Sequence, residues 1–358
     1  FSKFSSHELL KKFFQLQPLE DLQVSSINFS KMDLFISTSP FGVSDPTILE
    51  PLKQSGFSWS CHKSGRKLKP EELLEAAKNC KALVAGTENL LPLIEINPHL
   101  KMIARVGIGL DGVPLHECRK RGIRVSWTPD AVTRAVAELT VGQMLSSSRF
   151  VRMLDAGIRK QQWSRPAGRG IRESIIGLIG FGRIGSSVAR LLGSFSPEQI
   201  LVRDITDKTS EIQALQQEGL NIRSAGLEEI LKRSHIISLH VPLWKETRHM
   251  IGVHELEMMR QDAMLINTAR GGIVDETALR DALEKGFISG AAIDVFEKEP
   301  YSGPLSLMEN CILTPHLGSC TLECRARMES ESLNEALRFL QGDSLLQEVP
   351  DAEYVYQE

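Results

Sequence analysis

The stretch Ile175-Ile-Gly-Leu-Ile-Gly-Phe-Gly-Arg-Ile-Gly185 decides the reading of this chain. A short apolar run leads into Gly180, Gly182 and Gly185, and a helical pattern continues over Arg183–Leu192. This is G-x-G-x-x-G at a strand-to-helix junction. One glycine permits the tight turn, one lets a pyrophosphate reach the backbone, and the third lets helix and strand pack closely. The helix N-terminus adds N–H groups and the positive end of its dipole. Three glycines in a βα turn are also plain turn chemistry, so the motif needs a second signal. The next predicted strand, Gln199–Arg203, supplies it by ending in Asp204, nineteen positions after Gly185. A dinucleotide-binding fold places there the carboxylate that bonds the adenosine ribose hydroxyls. The same carboxylate repels a 2′-phosphate, which favours NAD over NADP, with Arg203 beside it as an opposing charge.

The bulk numbers narrow the class. A chain of 358 residues has room for two domains, each with its own core. Net charge is −3, with no basic excess to suit nucleic acid and no lysine-rich run to suit a membrane surface. No uninterrupted apolar run reaches transmembrane length. Cys61, Cys80, Cys118, Cys311, Cys320 and Cys324 are scattered and complete no zinc pattern, so no metal site is predicted and a reduced, cytoplasmic setting is expected. The first residue is Phe1, and Phe1–Ser30 lacks a basic-then-apolar signal pattern. Residues 1–30 read as an extension of unknown role, with a short helix over His7–Gln15.

From Lys31 the chain alternates short apolar strands with helical segments. Strands are predicted at Met32–Ser37, Ala82–Ala85, Leu100–Arg105 and Ile123–Ser126, with helices from Pro46 to about Gln54 and over Pro70–Asn79. Asp45 is the N-cap of the first helix, and Pro51 is expected to kink it or end it early. Such βα units argue for a parallel sheet with helices on both faces. Asp130–Val151 reads as one long, small-residue-rich helix bridging to a second half. There, strands are predicted at His235–Leu239, Ala263–Asn267, Ser289–Val295 and Cys311–Thr314, and the helix Asp275–Lys285 is closed by Gly286. The final helix, about Leu322–Leu340, is expected to cross back onto the first domain. This divides the chain into a substrate domain of 31–130 with 317–345 and a nucleotide domain of 131–316.

Three strand ends of the second half carry chemically active residues: Arg270 in Asn267–Gly272, Glu299 in Asp294–Pro300, and His316 in Thr314–Ser319. Singly, each has a plain reading as a loop arginine, a turn glutamate or a structural histidine. On consecutive carboxyl ends of one open sheet they meet where such sheets bind ligands. Reducing a 2-keto acid needs a proton donor for the developing alkoxide and a cation for the carboxylate and carbonyl. Imidazole gives or takes the proton near neutrality, a carboxylate beside it stabilises imidazolium, and guanidinium grips oxygens in fork geometry.

These motifs, with Arg105-Val-Gly-Ile-Gly-Leu-Asp111, Ala137-Glu-Leu-Thr140 and Ser238-Leu-His-Val-Pro-Leu243, resemble the D-isomer-specific 2-hydroxyacid dehydrogenases, the family of phosphoglycerate dehydrogenase and of hydroxypyruvate and glyoxylate reductases. The resemblance spans about Lys31 to Gly342. It implies an α/β fold of two doubly wound parallel-sheet domains, a Rossmann NAD domain inserted in a discontinuous flavodoxin-like substrate domain, in a homodimer joined through the cofactor domain. It implies NAD as cofactor and a small 2-keto or D-2-hydroxy acid as substrate. Carried over by position, it makes His316 the acid/base, Glu299 its partner and Arg270 the substrate clamp. Arg105 and the amides of Val106, Gly107 and Ile108 would hold the substrate carboxylate. With Gly180, Gly182, Gly185 and Asp204, the cofactor would meet Arg183 and Ile184 at the pyrophosphate, Val241 and Pro242 at the adenine, Asp294 at the nicotinamide amide, and Thr268 and Gly318 nearby.

Departures from the family pattern bear on the substrate. Phosphoglycerate dehydrogenases resembling this chain usually carry a phosphate-binding arginine after the strand that here runs into Ala85-Gly-Thr-Glu88, and a glutamate there tilts against a phosphorylated substrate. Arg105 and Arg134 are the residues able to compensate. Trp127 replaces the usual Asn before Thr-Pro, and with so little sequence after the last helix no C-terminal regulatory domain is expected. Formate dehydrogenases resemble a pattern with Gln at the Glu299 position and are set aside. The competing reading is an NAD(H)-responsive binding module on this fold, like the corepressors built on it.

Overall fold

The computed structural model describes residues 32–357, and the helix expected over His7–Gln15 lies outside the described residues. The chain divides into two units: residues up to Pro129 join Leu322–Gln357 in the first, and Asp130–Thr321 form the second.

The first unit is a parallel sheet of β1 (Met32–Ile36), β2 (Trp59–Cys61), β3 (Cys80–Ala85), β4 (Met102–Arg105) and β5 (Arg124–Ser126), in the order β2-β1-β3-β4-β5. That is the flavodoxin-like winding, with its switch between β1 and β3. A sheet covered on both faces needs nearly continuous apolar strands, and Leu34, Ile36, Leu83, Val84, Ile103 and Ala104 are all fully buried. The last helix, Leu322–Gln341, packs on β3 and β4.

Local departures from the sequence reading have local causes. Asp45 does cap the segment at Pro46, accepting from the Thr47 amide at 3.0 Å, but the first turn is a 3-10 helix, Pro46–Leu49. The α-helix proper is Glu50–Gln54, and Pro51 stands in its first turn, where its missing N–H costs nothing. Strand β2 and the helix Leu91–Ile96 were not expected. A three-residue, half-buried edge strand shows no usable alternation.

The second unit holds β6 (Ile175–Ile179), β7 (Gln199–Arg203), β8 (Ile222–Ser224), β9 (Ile236–Leu239), β10 (Met264–Asn267), β11 (Gly290–Ile293) and β12 (Cys311–Leu313). All pair in parallel, in the order β12-β11-β10-β9-β6-β7-β8. Counted from β6 this is the dinucleotide-binding winding with one added strand, and the order reverses between β6 and β9. The glycine-rich turn leaves β6 at that reversal. The long helix expected to reach Val151 is Pro129–Ser148; Phe150 takes a left-handed φ of 55° and a separate helix, Val151–Arg159, starts after it. Asp275 caps the helix Glu276–Lys285 through the amides of Thr277 and Ala278, and Gly286 closes it at φ 70°. No helix among the described residues is long and apolar enough to cross a membrane.

Candidate active site

The glycine turn divides its duties among three positions. Gly180 has φ 94°, and a Cβ there would lie 2.6 Å from the His240 carbonyl group. A Cβ on Gly185 would lie 2.2 Å from the Gly180 oxygen, so helix and strand touch only because that position is bare. Gly182 has nothing within 4 Å of where its Cβ would stand, and it is the N-cap of the helix Arg183–Gly193. A backbone that is crowded on two sides and open on the third suits the approach of a pyrophosphate, and the helix dipole is aimed at it.

Asp204 is tied to that turn. Its Oδ2 accepts from the Phe181 amide at 2.6 Å, and its Oδ1 accepts from the amide and hydroxyl of Thr206 at 2.9 and 2.8 Å. Burial pushes its carboxyl upward, but the Thr206 and Phe181 bonds outweigh burial and hold it below the usual range. An ionised carboxylate therefore stands beside the glycine turn, the acceptor that ribose hydroxyls require. Arg183, at the first position of the helix, pairs with Asp130 at 3.1 Å. After β9, Val241 is half-buried and Pro242 exposed.

The loops after β10, β11 and β12 lock together. The side chain of Asn267 braces the first, donating to the Arg270 carbonyl at 2.9 Å and accepting from the Ala269 amide at 3.1 Å. A Cβ on Gly271 would lie 2.0 Å from the Phe296 carbonyl group, which presses the Arg270 loop against the Glu299 loop. His316 Nδ1 faces both Glu299 oxygens, at 2.9 Å from Oε2 and 3.1 Å from Oε1, and Oε1 also accepts from the Phe296 amide at 3.1 Å. With Nδ1–H donated to a carboxylate, Nε2 is the ring nitrogen left to exchange a proton with a ligand. Burial works to raise the Glu299 carboxyl. The hydrogen bond and charge of His316, the Phe296 amide and the Arg270 charge together hold it below its ordinary value. Arg270, Glu299 and His316 thus form one electrostatic group.

His316 sits at a left-handed φ of 54°, which a non-glycine residue adopts only when its surroundings impose it. Its amide donates to the Asp294 carbonyl at 2.8 Å. Asp294 turns both side-chain oxygens onto the same loop: Oδ1 accepts from Thr314 Oγ1 at 2.6 Å and the Leu317 amide at 2.7 Å, and Oδ2 from the Gly318 amide at 2.9 Å. Burial is the main influence on this carboxyl and leaves it above its usual range despite those bonds. The sequence reading sent Asp294 toward the nicotinamide amide and did not foresee its hold on the histidine loop. Thr268 is buried with its hydroxyl 2.8 Å from that of Thr140.

In the first unit, Arg105 is buried and folds back on its own loop, donating to the carbonyls of Gly109, at 2.8 Å, and Val106. The Val106 amide donates to the Ala85 carbonyl at 2.9 Å and the Gly107 amide to Thr128 Oγ1 at 2.8 Å. Of the three amides named for a carboxylate, Ile108 is the one not paired with a protein acceptor among the described residues. Glu88 is 5% exposed, and its Oε2 is buried with no hydrogen-bond partner among the described residues. A Cβ on Gly86 would lie 3.1 Å from both Glu88 oxygens and 3.0 Å from Thr38 Oγ1, so these groups gather after β1 and β3, at the winding switch.

Known proteins resemble this chain over most of its length. Residues 141–318 match the family model for the NAD binding domain of D-isomer specific 2-hydroxyacid dehydrogenases. A glyoxylate reductase of Thermofilum pendens is 38% identical over 283 residues, covering 76% of this chain and 82% of the relative. A D-3-phosphoglycerate dehydrogenase of Methanocaldococcus jannaschii is 36% identical over 281 residues, covering 77% of this chain and 53% of the relative. The crystal structure of an Aquifex aeolicus D-lactate dehydrogenase with NAD and lactic acid superposes with a TM-score of 0.74 at 29% identity, covering 87% of this chain and 96% of that one. The chain belongs to the D-isomer specific 2-hydroxyacid dehydrogenase family and is an NAD-dependent oxidoreductase acting between 2-keto and 2-hydroxy acids.

Proposed function

We propose that His316 is the acid/base of this reaction, Glu299 its partner and Arg270 the clamp on the substrate's oxygens. The observation that carries the reading is the two-oxygen contact of Glu299 with His316 Nδ1, at 2.9 and 3.1 Å. It leaves Nε2 to give its proton to the carbonyl oxygen as the alkoxide develops, while the carboxylate fixes the orientation of the ring. When bound, NADH supplies the hydride for C2. Arg270 neutralises the charge that grows on the oxygen and, through its effect on Glu299, is coupled to the same pair. Asp204 takes the ribose hydroxyls. The amides of Arg183 and Ile184 and the bare Gly182 take the pyrophosphate, with Val241 and Pro242 on the adenine side. The Arg105–Gly109 loop offers the Ile108 amide to a carboxylate.

The substrate is a small 2-keto acid without a phosphate, of the glyoxylate or hydroxypyruvate kind. The buried Glu88 supports this, since it stands in the loop where the resembling phosphoglycerate dehydrogenases carry a phosphate-binding arginine and offers no cation to a phosphate. The protein acts as a cytoplasmic homodimer joined through the second unit. In support, the helix Val151–Arg159 buries none of its residues, and Val151, Ile158 and Trp163 are 52%, 52% and 81% exposed. The test is NADH oxidation across hydroxypyruvate, 3-phosphohydroxypyruvate, glyoxylate, pyruvate and bulkier keto acids. Preference for the small unphosphorylated acids is expected. Preference for the phosphorylated one sinks the Glu88 argument, and silence across the panel with NADH still bound sinks the catalytic assignment.

A further inference from the structure

Val136, Thr140 and Gln143 lie at spacings of four and three on the helix Pro129–Ser148, so they share one face. Each meets the loop after β10 or the loop after β12. Thr140 Oγ1 donates its one proton to the Val136 carbonyl at 2.8 Å. Its 2.8 Å contact with Thr268 Oγ1 is therefore donated by Thr268, two residues before Arg270. Gln143 Nε2 donates to Thr314 Oγ1 at 3.0 Å, two residues before His316. That oxygen passes its own proton to Asp294 Oδ1 at 2.6 Å, so the hydroxyl has a fixed direction. A Cβ on Gly318 would come within 3.2 Å of Val136 Cγ2, which brings the same helical face against the far side of the histidine loop. Thr140 and Gln143 are buried, and an apolar helix face has no need of polar groups there for packing alone.

We infer that this face is a positioning device. One turn of a rigid helix fixes the Arg270 loop through Thr140 and the His316 loop through Gln143, and so sets guanidinium against imidazole. It holds His316 in its left-handed backbone through the chain Gln143–Thr314–Asp294. Neither Thr140 nor Gln143 touches the reacting atoms. The inference rests on the roles proposed above for Arg270 and His316.

The test uses the full-length protein with Thr140→Val and Gln143→Met, which keep shape and remove hydrogen bonding, and with Thr140→Ser, which keeps the hydroxyl. Displacements of about 1 Å in catalytic groups carry large rate penalties. Thr140→Val is expected to raise KM for the keto acid, and Gln143→Met to lower kcat, each about tenfold. Gln143→Met also moves the pH profile of kcat, the NADH dissociation constant stays within about twofold for both, and Thr140→Ser recovers most of the loss. Kinetics unchanged in a folded variant, even one with a lower melting temperature, overturn the inference, as does an equal loss of NADH affinity. His316→Asn is run alongside. If it keeps full turnover, the acid/base assignment has failed; if it is inactive while Gln143→Met and Thr140→Val behave as wild type, only the positioning device has failed.

Discussion

Glu299 is where the pH dependence of this site should be visible. Its folded pKa lies below its ordinary value, because the bonds and charges of His316, Phe296 and Arg270 outweigh the upward push of burial. A carboxyl with a depressed pKa stabilises the fold fully above its unfolded value, about 4.3, and loses that contribution as pH falls through the folded pKa. Glu299→Gln should therefore lower the melting temperature most near neutrality, with the gap to wild type closing below about pH 4. The same variant should reduce kcat by about 10–100-fold with little change in NADH binding. A gap that persists unchanged to acid pH contradicts the charge argument. At Asp204, replacement by Ser removes the carboxylate that repels a 2′-phosphate, and kcat/KM with NADPH should rise relative to NADH. An unaltered cofactor ratio would show that Asp204 does not set the choice. Arg270, Glu299, His316 and Asp204 were legible in the sequence because each sits at a fixed distance from a strand end. Gln143 and Thr314 were not, because their bond joins residues 171 positions apart. The remaining signal was weak: a Thr and a Gln three apart, on the helical face that also carries Val136.

At the scale of elements, the turn after β6 concentrates the requirements. Gly180→Ala forces a side chain onto φ 94° and against the His240 backbone, and Gly185→Ala drives one into the Gly180 carbonyl. Each should cost more than about 2 kcal/mol of stability, read as a fall in urea midpoint. Gly182→Ala meets open space and should fold normally while binding NADH more weakly, because the added methyl stands where the pyrophosphate approaches. If Gly182→Ala bound NADH as tightly as wild type, the turn would not hold the phosphates in this way. Long strands and capped helices could be read directly, since Asp275 and Gly286 mark their helix with the chemistry its ends require. Strands β2 and β8, of three residues each, could not. The break at Phe150 carries no Gly or Pro to announce it, and the left-handed residue there is imposed by tertiary structure.

For the whole molecule, both sheets wind outward from a switch point, and the functional side chains follow the carboxyl ends of the strands. Strand order depends on pairings between distant segments. No local pattern specified it, and the family resemblance supplied the expectation. Val151, Ile158 and Trp163 are exposed apolar side chains, and the proposed assembly requires a second copy to cover them. Sedimentation should find a dimer, and Val151→Lys with Ile158→Lys should shift it to monomer; a wild-type monomer would refute the assembly. The proposed chemistry turns on His316. Asn tolerates the left-handed backbone there, so His316→Asn removes the imidazole with little strain. The decisive measurement is steady-state NADH oxidation by this variant with the best keto acid, beside its NADH dissociation constant. A fall in kcat of about 10²–10⁴-fold with NADH affinity retained is predicted. Turnover near the wild-type rate would contradict the assignment of His316 as the acid/base.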